Sequence, residues 1–331
     1  MTLAADIRRQ LTLPAICAPM TAVSGPDLVV ESCKAGVMAG LPTQNAGPRE
    51  AFEAWLTDIE DRLKRWQDSH PGARVAPLAV NISSNKSDED KILDLAVCAR
   101  HGVQHIITAM GNPVEIAKRV HDWGGTLFHD VTTLAHAEKA IAAGVDGLTC
   151  IGAGGGGHSG TVSHLALIPQ VRRMFDGVII LAGVVSNGAA IRAAEILGAD
   201  LSYLGTRFIA TQESLAPQDY KELLVSERLS DLIYTRDLTG VPANWLKESL
   251  RRKGLDPANL PQGATHGRYD HLPKEVRPWR TVFSAGQGIE LIDDIPSVAD
   301  LVRRLRQEYV DACATPDMAE AARLADEALS A

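Results

Sequence analysis

Eight short apolar runs, alternating with helix-patterned segments through the first 211 residues, predict an α/β chain folded as a (β/α)8 TIM barrel. A small, mostly helical cap and C-terminal subdomain complete the expected architecture. Three observations carry this reading. Strands that are apolar throughout and separated by helices belong to a parallel sheet covered on both faces. Eight such units suit closure into a barrel rather than an open sheet, and 331 residues are enough for one. The Gly-rich segment Gly152-Ala153-Gly154-Gly155-Gly156-Gly157-His158-Ser159-Gly160 follows the sixth strand. A dinucleotide fingerprint belongs after the first strand of its unit, so the G-x-G-x-x-G spacing of Gly152, Gly154 and Gly157 is weak support for a Rossmann fold.

An apolar strand over 15–18 ends in Pro19-Met20-Thr21, and a helix over 27–35 closes at Gly36. A strand over 37–41 precedes a long amphipathic helix over 49–67, with Phe52, Trp55, Leu56, Ile59, Leu63 and Trp66 on one side. The third strand, 75–80, ends at Asn81, and Ser87 with Asp90 resembles a capping box for a helix to 100. The fourth strand covers 104–108. Asn112-Pro113 opens the next helix in cap-then-proline order. The fifth strand, 125–128, ends in His129-Asp130, and a helix over 133–143 stops at Gly144. The sixth, 146–151, feeds the Gly-rich loop, and its helix over 162–175 is expected to bend or split at Pro169. The seventh, 178–181, ends in Ala182-Gly183, with Ser186 as cap of a helix to 197. The eighth, 201–204, leads into Gly205-Thr206-Arg207. Residues 1–211 are thus the barrel, 212–285 a cap near its mouth, and 286–331 closing helices (296–312 and 317–329) that pack back on it.

Composition excludes several classes. Hydrophobic residues make up 45%, enough for a sizeable core. A net charge of −8 with no basic run argues against general nucleic-acid binding and leaves a small-molecule substrate. The five cysteines form no C-x-x-C pair, which points to a reduced, cytoplasmic protein without a zinc site or other metal centre. Cys17 and Cys150 lie in strands and read as buried packing residues. No signal peptide or membrane-spanning run is visible, and a homodimer is left open.

In a (β/α)8 barrel the strand C-termini share the face where catalysis sits. Gly183 and Gly205-Thr206, after strands seven and eight, suit a phosphate on backbone N–H groups. The Asn81 amide suits a heterocycle edge, and Met20 offers a soft apolar face for a ring. Together these describe a planar cofactor with one phosphate, which FMN fits better than a dinucleotide. Each has a plainer reading: Gly183, Gly205 and Asn81 as turn residues, Thr108 as a cap or turn residue, Met20 as core. His129 reads as a hydrogen-bonded spectator, Asp130 as a helix cap, and His105 as core. His158 stands out, because its Gly neighbours leave little side-chain mass to bury it.

These motifs resemble the nitronate monooxygenase (2-nitropropane dioxygenase) family through nearly the whole chain. Ala18-Pro19-Met20, Val80-Asn81, Leu181-Ala182-Gly183-Val184, Gly198-Ala199-Asp200, Leu204-Gly205-Thr206-Arg207-Phe208 and Ala285-Gly286-Gln287-Gly288 each look like a family segment. Gly152 to Gly160 looks like the family's G-x-E-A-G-G-H-x-G, with Gly154 in place of the Glu, Gly155 in place of the Ala, and Ile151 where a Gln is usual. Val184 replaces the second Gly of A-A-G-G-I. The resemblance implies an FMN-dependent oxidoreductase that oxidises alkyl nitronates with O2 to a carbonyl compound and nitrite. It implies His158 as the catalytic residue, a base or an anion-binding partner. FMN is expected on Pro19, Met20, Thr21, Asn81 and Thr108, then on Gly156, Gly157, Ala182, Gly183, Leu204, Gly205 and Thr206. Related barrels reduce enoyl thioesters (enoyl-ACP or enoyl-CoA) or quinones with NAD(P)H as co-substrate, which is the alternative. A non-redox barrel that binds a phosphorylated ligand is the second.

Overall fold

The computed structural model describes residues 2–83, 86–314, 322, 323 and 326. Eight parallel strands close into a barrel: β1 (Ala15–Cys17), β2 (Met38–Pro42), β3 (Leu78–Asn81), β4 (His105–Ala109), β5 (Thr126–Val131), β6 (Gly147–Ile151), β8 (Val178–Ala182) and β9 (Leu201–Leu204). Between β6 and β8 lies a two-residue strand, β7 (Gly157–His158), outside the barrel. β9 returns to β1, pairing Tyr203 with Ile16. Two strands differ from expectation. β3 starts at Leu78, because Pro77 has no N–H to donate to a ladder. β5 runs on through His129 and Asp130, which pair with Leu148 and Thr149 of β6.

The helices before the last barrel strand are α1 (Leu3–Gln10), α2 (Pro26–Lys34), α3 (Arg49–Ser69), α4 (Asp88–Arg100), α5 (Val114–Asp122), α6 (Leu134–Ala142), α7 (His164–Arg172) and α8 (Gly188–Leu197). α7 is a single helix with Pro169 inside it. Two caps differ from the sequence reading. Thr133, rather than Asp130, caps α6 by accepting from the His136 N–H. Asn187, rather than Ser186, caps α8, its Oδ1 accepting from the Ala190 N–H at 2.8 Å.

Strand alternation divides the apolar residues into two sets. Ile16, Met38, Ala79, Ile107, Phe128, Val178, Ile180 and Leu201 form the barrel interior, together with Ile7 and Leu11. Helix α1, formed by the charged N-terminal residues, therefore plugs the N-terminal end. Leu127, Val131, Leu148, Leu181 and Leu204 join the layer between strands and helices. Cys17 and Cys150 are buried there, and burial pushes the Cys150 thiol up to about 12.

After the barrel come α9 (Thr206–Ile209), α10 (Gln218–Ser226), β10 (Leu232–Thr235), β11 (Ala243–Leu246), α11 (Lys247–Arg251) and α12 (Val298–Cys313). The segment over the mouth is less helical than expected. Its centre is an antiparallel sheet in the order β10-β11-β7, which takes in Gly157 and His158 from the Gly-rich loop. Trp245, Leu250, Leu255, Val276 and Val282 give it an apolar cluster of its own. α12 packs back on α8 and α2. Most of the helix expected over 317–329 lies outside the described residues. Among the described residues no helix is long and apolar enough to cross a membrane.

Candidate active site

A cavity of about 1080 Å³ opens over the C-terminal ends of the strands. Its wall includes Pro19, Met20 and Thr21 after β1, Asn81 at the end of β3, and Gly156, Gly157 and His158 of the Gly-rich loop. It continues through Ala182 and Gly183 after β8, and Gly205 and Thr206 after β9. Two expected residues stand off this wall. Thr108 lies on the helix-facing side of β4, where its hydroxyl bonds His129 Nδ1 at 2.8 Å. Leu204 is fully buried in the strand–helix layer.

The segment after β1 is held by Asn45, whose Nδ2 donates to Met20 O and Ser24 O at 2.8 Å each. Asn45 Oδ1 accepts from the Ala22 N–H at 2.9 Å, so this amide braces the turn that presents Met20. Arg207 is buried and pairs with Asp294 at 2.8 Å, tying α9 to the chain that leads into α12. The Gly-Thr-Arg-Phe motif therefore contributes a structural anchor beside its cavity-facing Gly205 and Thr206.

The Gly-rich loop is packed mainly against the protein itself. A Cβ on Gly152 would lie 2.6 Å from His164 Nε2, and that ring nitrogen donates to Ala182 O at 2.8 Å. A Cβ on Gly160 would meet Ile151 O at 2.7 Å, and one on Gly156 would meet Gly286 N at 3.0 Å. Asn244 Nδ2 donates to Gly155 O at 2.7 Å, and Ser284 Oγ accepts from the Gly157 N–H at 2.6 Å. His164, Asn244 and Ser284 carried no local sequence signal, because each acts on a segment distant in the chain or through its backbone.

His158 is half-buried at the edge of this cavity. Its ring meets Trp279 edge-on at 5.0 Å between centroids, and His266 lies 6.1 Å away. Nε2 sits 3.2 Å from Thr239 Oγ1, and that hydroxyl donates its own hydrogen to Val241 O at 2.9 Å. Thr239 Oγ1 can then only accept, which assigns the imidazole proton to Nε2 and leaves Nδ1 with a lone pair. Burial, and secondarily the neighbouring His266, pull the His158 pKa down to about 4. The ring is neutral at pH 7, the form of an acceptor or base.

The groups on this wall have the donors and acceptors that FMN requires. Among the described residues the N–H groups of Gly183, Val184, Gly205 and Thr206 donate to no backbone carbonyl. Thr206 Oγ1 accepts from Gly286 N at 2.9 Å and keeps its hydrogen free to donate. Asn81 makes one long bond, to Ile107 O at 3.4 Å, leaving most of its amide for a heterocycle edge. Asp130 Oδ1 and Tyr203 OH are buried without a partner on the same cavity. Free donors on one side and unpaired polar groups on the other suit a phosphorylated planar cofactor.

A family model described as "Nitronate monooxygenase" matches residues 55–308. The chain belongs to this family. It is an FMN-dependent oxidoreductase, which sets aside the non-redox alternative. A nitronate monooxygenase of Paraburkholderia phytofirmans is 26% identical, over 89% of this chain and 92% of that one. A Rhodococcus jostii protein, "(3aS,4S,5R,7aS)-5-hydroxy-7a-methyl-1-oxo-octahydro-1H-indene-4-carboxyl-CoA dehydrogenase", is also 26% identical, over 87% and 90%. Among solved structures, the nitroalkane oxidase of Streptomyces ansochromogenes superposes with a TM-score of 0.77 at 24% identity, covering 92% of this chain and 98% of that one. FabK of Thermotoga maritima gives 0.74 at 22%, covering 95% and 97%. These two likenesses concern the fold.

Proposed function

We propose that this family member oxidises alkyl nitronates with dioxygen, giving a carbonyl compound and nitrite. The observation that carries the reading is His158: neutral, its Nε2–H committed to Thr239, its Nδ1 lone pair available at the cavity edge. FMN, when bound, supplies the electron acceptor. Pro19, Met20, Thr21, Asn81, Gly156, Gly157, Ala182, Gly183, Gly205 and Thr206 would hold it. Thr108 and Leu204 would act from behind that wall, Thr108 by fixing His129.

His158 Nδ1 would take the proton from the carbon next to a neutral nitro group, or hold a nitronate once the ring is protonated. Trp279, edge-on to the imidazole, limits its rotation and screens it from water. Gly157 N–H on Ser284, and the pairing of His158 with Ala243, fix the backbone that carries the ring.

A second reading keeps FMN and uses NAD(P)H to reduce an enoyl thioester or a quinone. It is favoured by the extent of the cavity, which continues past β4 and β5 along Met110, Val114, His136 and Lys139, room that a small nitronate does not need. The CoA named for the Rhodococcus jostii relative points the same way.

Anaerobic mixing of the FMN-loaded protein with nitronates, NADH and NADPH separates them. Flavin bleaching by a nitronate, with nitrite released in air, is expected. Bleaching by NADH or NADPH at a useful rate, with none by nitronates, would replace the first reading with the second.

A further inference from the structure

We propose that Asp130 and Tyr203 form a proton-holding pair in the floor of the cofactor cleft, donating hydrogen bonds to bound FMN and adding one proton to its reduction. This rests on FMN being the resident cofactor.

The placement follows from strand alternation. Phe128 and Leu201 belong to the barrel interior, and Asp130 and Tyr203 lie two residues further along the same strands. Both therefore face inward, at the C-terminal end of the barrel. Both also line the cavity. Thr149, opposite Asp130 in the β5–β6 ladder, faces the same way.

Three buried oxygens meet there without hydrogen-bond partners: Asp130 Oδ1, Thr149 Oγ1 and Tyr203 OH. Such groups are costly to bury unpaired and mark a place where a ligand completes the bonding. Thr108, on the helix-facing side of β4, is by contrast satisfied within the protein by His129.

The charges around Asp130 are consistent with a carboxyl that keeps its proton. Burial raises its pKa to about 7; Thr149 moderates the rise without making a hydrogen bond of ordinary geometry. Tyr203 on β9 is pushed well above its usual value by burial, then by Asp130 and Cys17. Cys17 on β1 is raised by burial, and Cys150 on β6 is raised to about 12. His129, on the opposite face of β5, is lowered to about 4 by burial and then by His136. Arg172, whose charge moderates the rise at Cys150, is committed to Asp200 at 2.5 Å. These shifts hold Cys17, Cys150, Tyr203 and His129 in their uncharged forms at pH 7, and among the described residues no cation forms an ion pair with the carboxyl.

A protonated Asp130 donates one hydrogen bond and Tyr203 another. An ionised Asp130 would instead place a negative charge beside a cofactor that becomes more negative on reduction. Reduction by two electrons then draws one extra proton from solvent onto the carboxylate, above about pH 7.

The test is the midpoint potential of the FMN-loaded protein against pH, for wild type, Asp130→Asn and Tyr203→Phe. The wild-type slope should steepen above neutrality by about 30 mV per pH unit, the two-electron equivalent of a tenfold change in the reduction equilibrium. Asp130→Asn should keep FMN and lose the extra slope. Tyr203→Phe should keep the slope and lie at lower potential throughout. In FMN-free protein, infrared spectra should show a carboxylic acid band that disappears as pH rises through neutrality and is missing from Asp130→Asn. A wild-type slope equal to that of Asp130→Asn overturns the inference while leaving the cofactor in place. If Asp130→Asn does not fold, a wild-type slope without a break near neutrality overturns it equally. Wild-type protein that takes up no FMN overturns the cofactor reading as well.

Discussion

Gly154 and Val184 compete for one volume: a Cβ on Gly154 would lie 2.8 Å from Val184 Cγ1, and 2.6 Å from Gln287 Oε1. These are two of the positions where the chain departs from the family motifs, which resemble Glu at the first and Gly at the second. The structure joins them into one exchange, with side-chain volume moved from the Gly-rich loop to the turn after β8. Val184 has φ 55°, a conformation that a β-branched residue adopts at a cost.

Gly154→Ala alone should therefore destabilise the protein by about 1–3 kcal/mol, since φ is +82° there and both Gln287 and Val184 crowd the new methyl. Adding Val184→Gly should recover part of the loss, with a coupling of about 0.5–3 kcal/mol in urea denaturation. Strictly additive effects would show that the two residues do not share space.

For His158, removal and misorientation should be separable. His158→Ala should retain FMN and lose turnover by about 10²–10⁴-fold. Thr239→Val deletes the acceptor for Nε2–H and should lower turnover on the order of tenfold, with FMN content unchanged. The wild-type acid limb of kcat/KM should fall near pH 4, below an ordinary imidazole. An acid limb at the usual histidine value would count against the buried, neutral ring.

Asn244 links the sheet over the mouth to the Gly-rich loop through a buried bond to Gly155 O. Asn244→Ala leaves that carbonyl unpaired and should cost about 1–3 kcal/mol. Faster amide exchange confined to residues 154–160 would report the loosened loop; unchanged exchange there would refute the linkage.

Stability should respond to pH in opposite senses at neighbouring residues. His105 and His129 have folded pKa values near 4, below the ordinary 6.5, because of burial. Unfolded chains bind more protons between these values, so stability is full above pH 6.5 and falls as pH drops to 4, by at most about 3 kcal/mol each. Asp130 is raised from 3.8 to about 7, so its protonated carboxyl is retained on folding and stability falls as pH rises through that window. Asp130→Asn should raise Tm at pH 8 and leave it nearly unchanged at pH 3. Thermal scans across pH check both signs, and equal gains at the two pH values would exclude the Asp130 shift.

The barrel was legible because strands such as Val178–Ala182 are apolar throughout and announce burial on both faces. Polar strand ends were harder to read. Asp130 looks like a helix cap in sequence, since nothing local distinguishes a capping carboxylate from one paired into a ladder beside Thr149. Ser186 and Asn187 are both good caps, and only geometry chooses between them. The β7 strand has two residues, too few to show a period, and its partner β11 lies far along the chain. Thr239, Trp279 and Ser284 bear on the Gly-rich loop only after folding, so their functional placement has no signature in their own neighbourhoods. The glycines themselves were legible as a backbone constraint. What imposes it, chiefly His164, Gln287 and Gly286, was not.

The pairing of His158 with Ala243 also bears on synthesis. A chain leaving the ribosome can join β9 to β1 before Thr239, 81 residues beyond His158, has emerged. The reactive edge is thus finished after the enclosure that holds the cofactor, by a segment that arrives late. A chain broken off after the eighth barrel strand would carry the histidine without the strand, hydroxyl and indole that set its orientation, so this enzyme's chemistry depends on translation running well past its barrel.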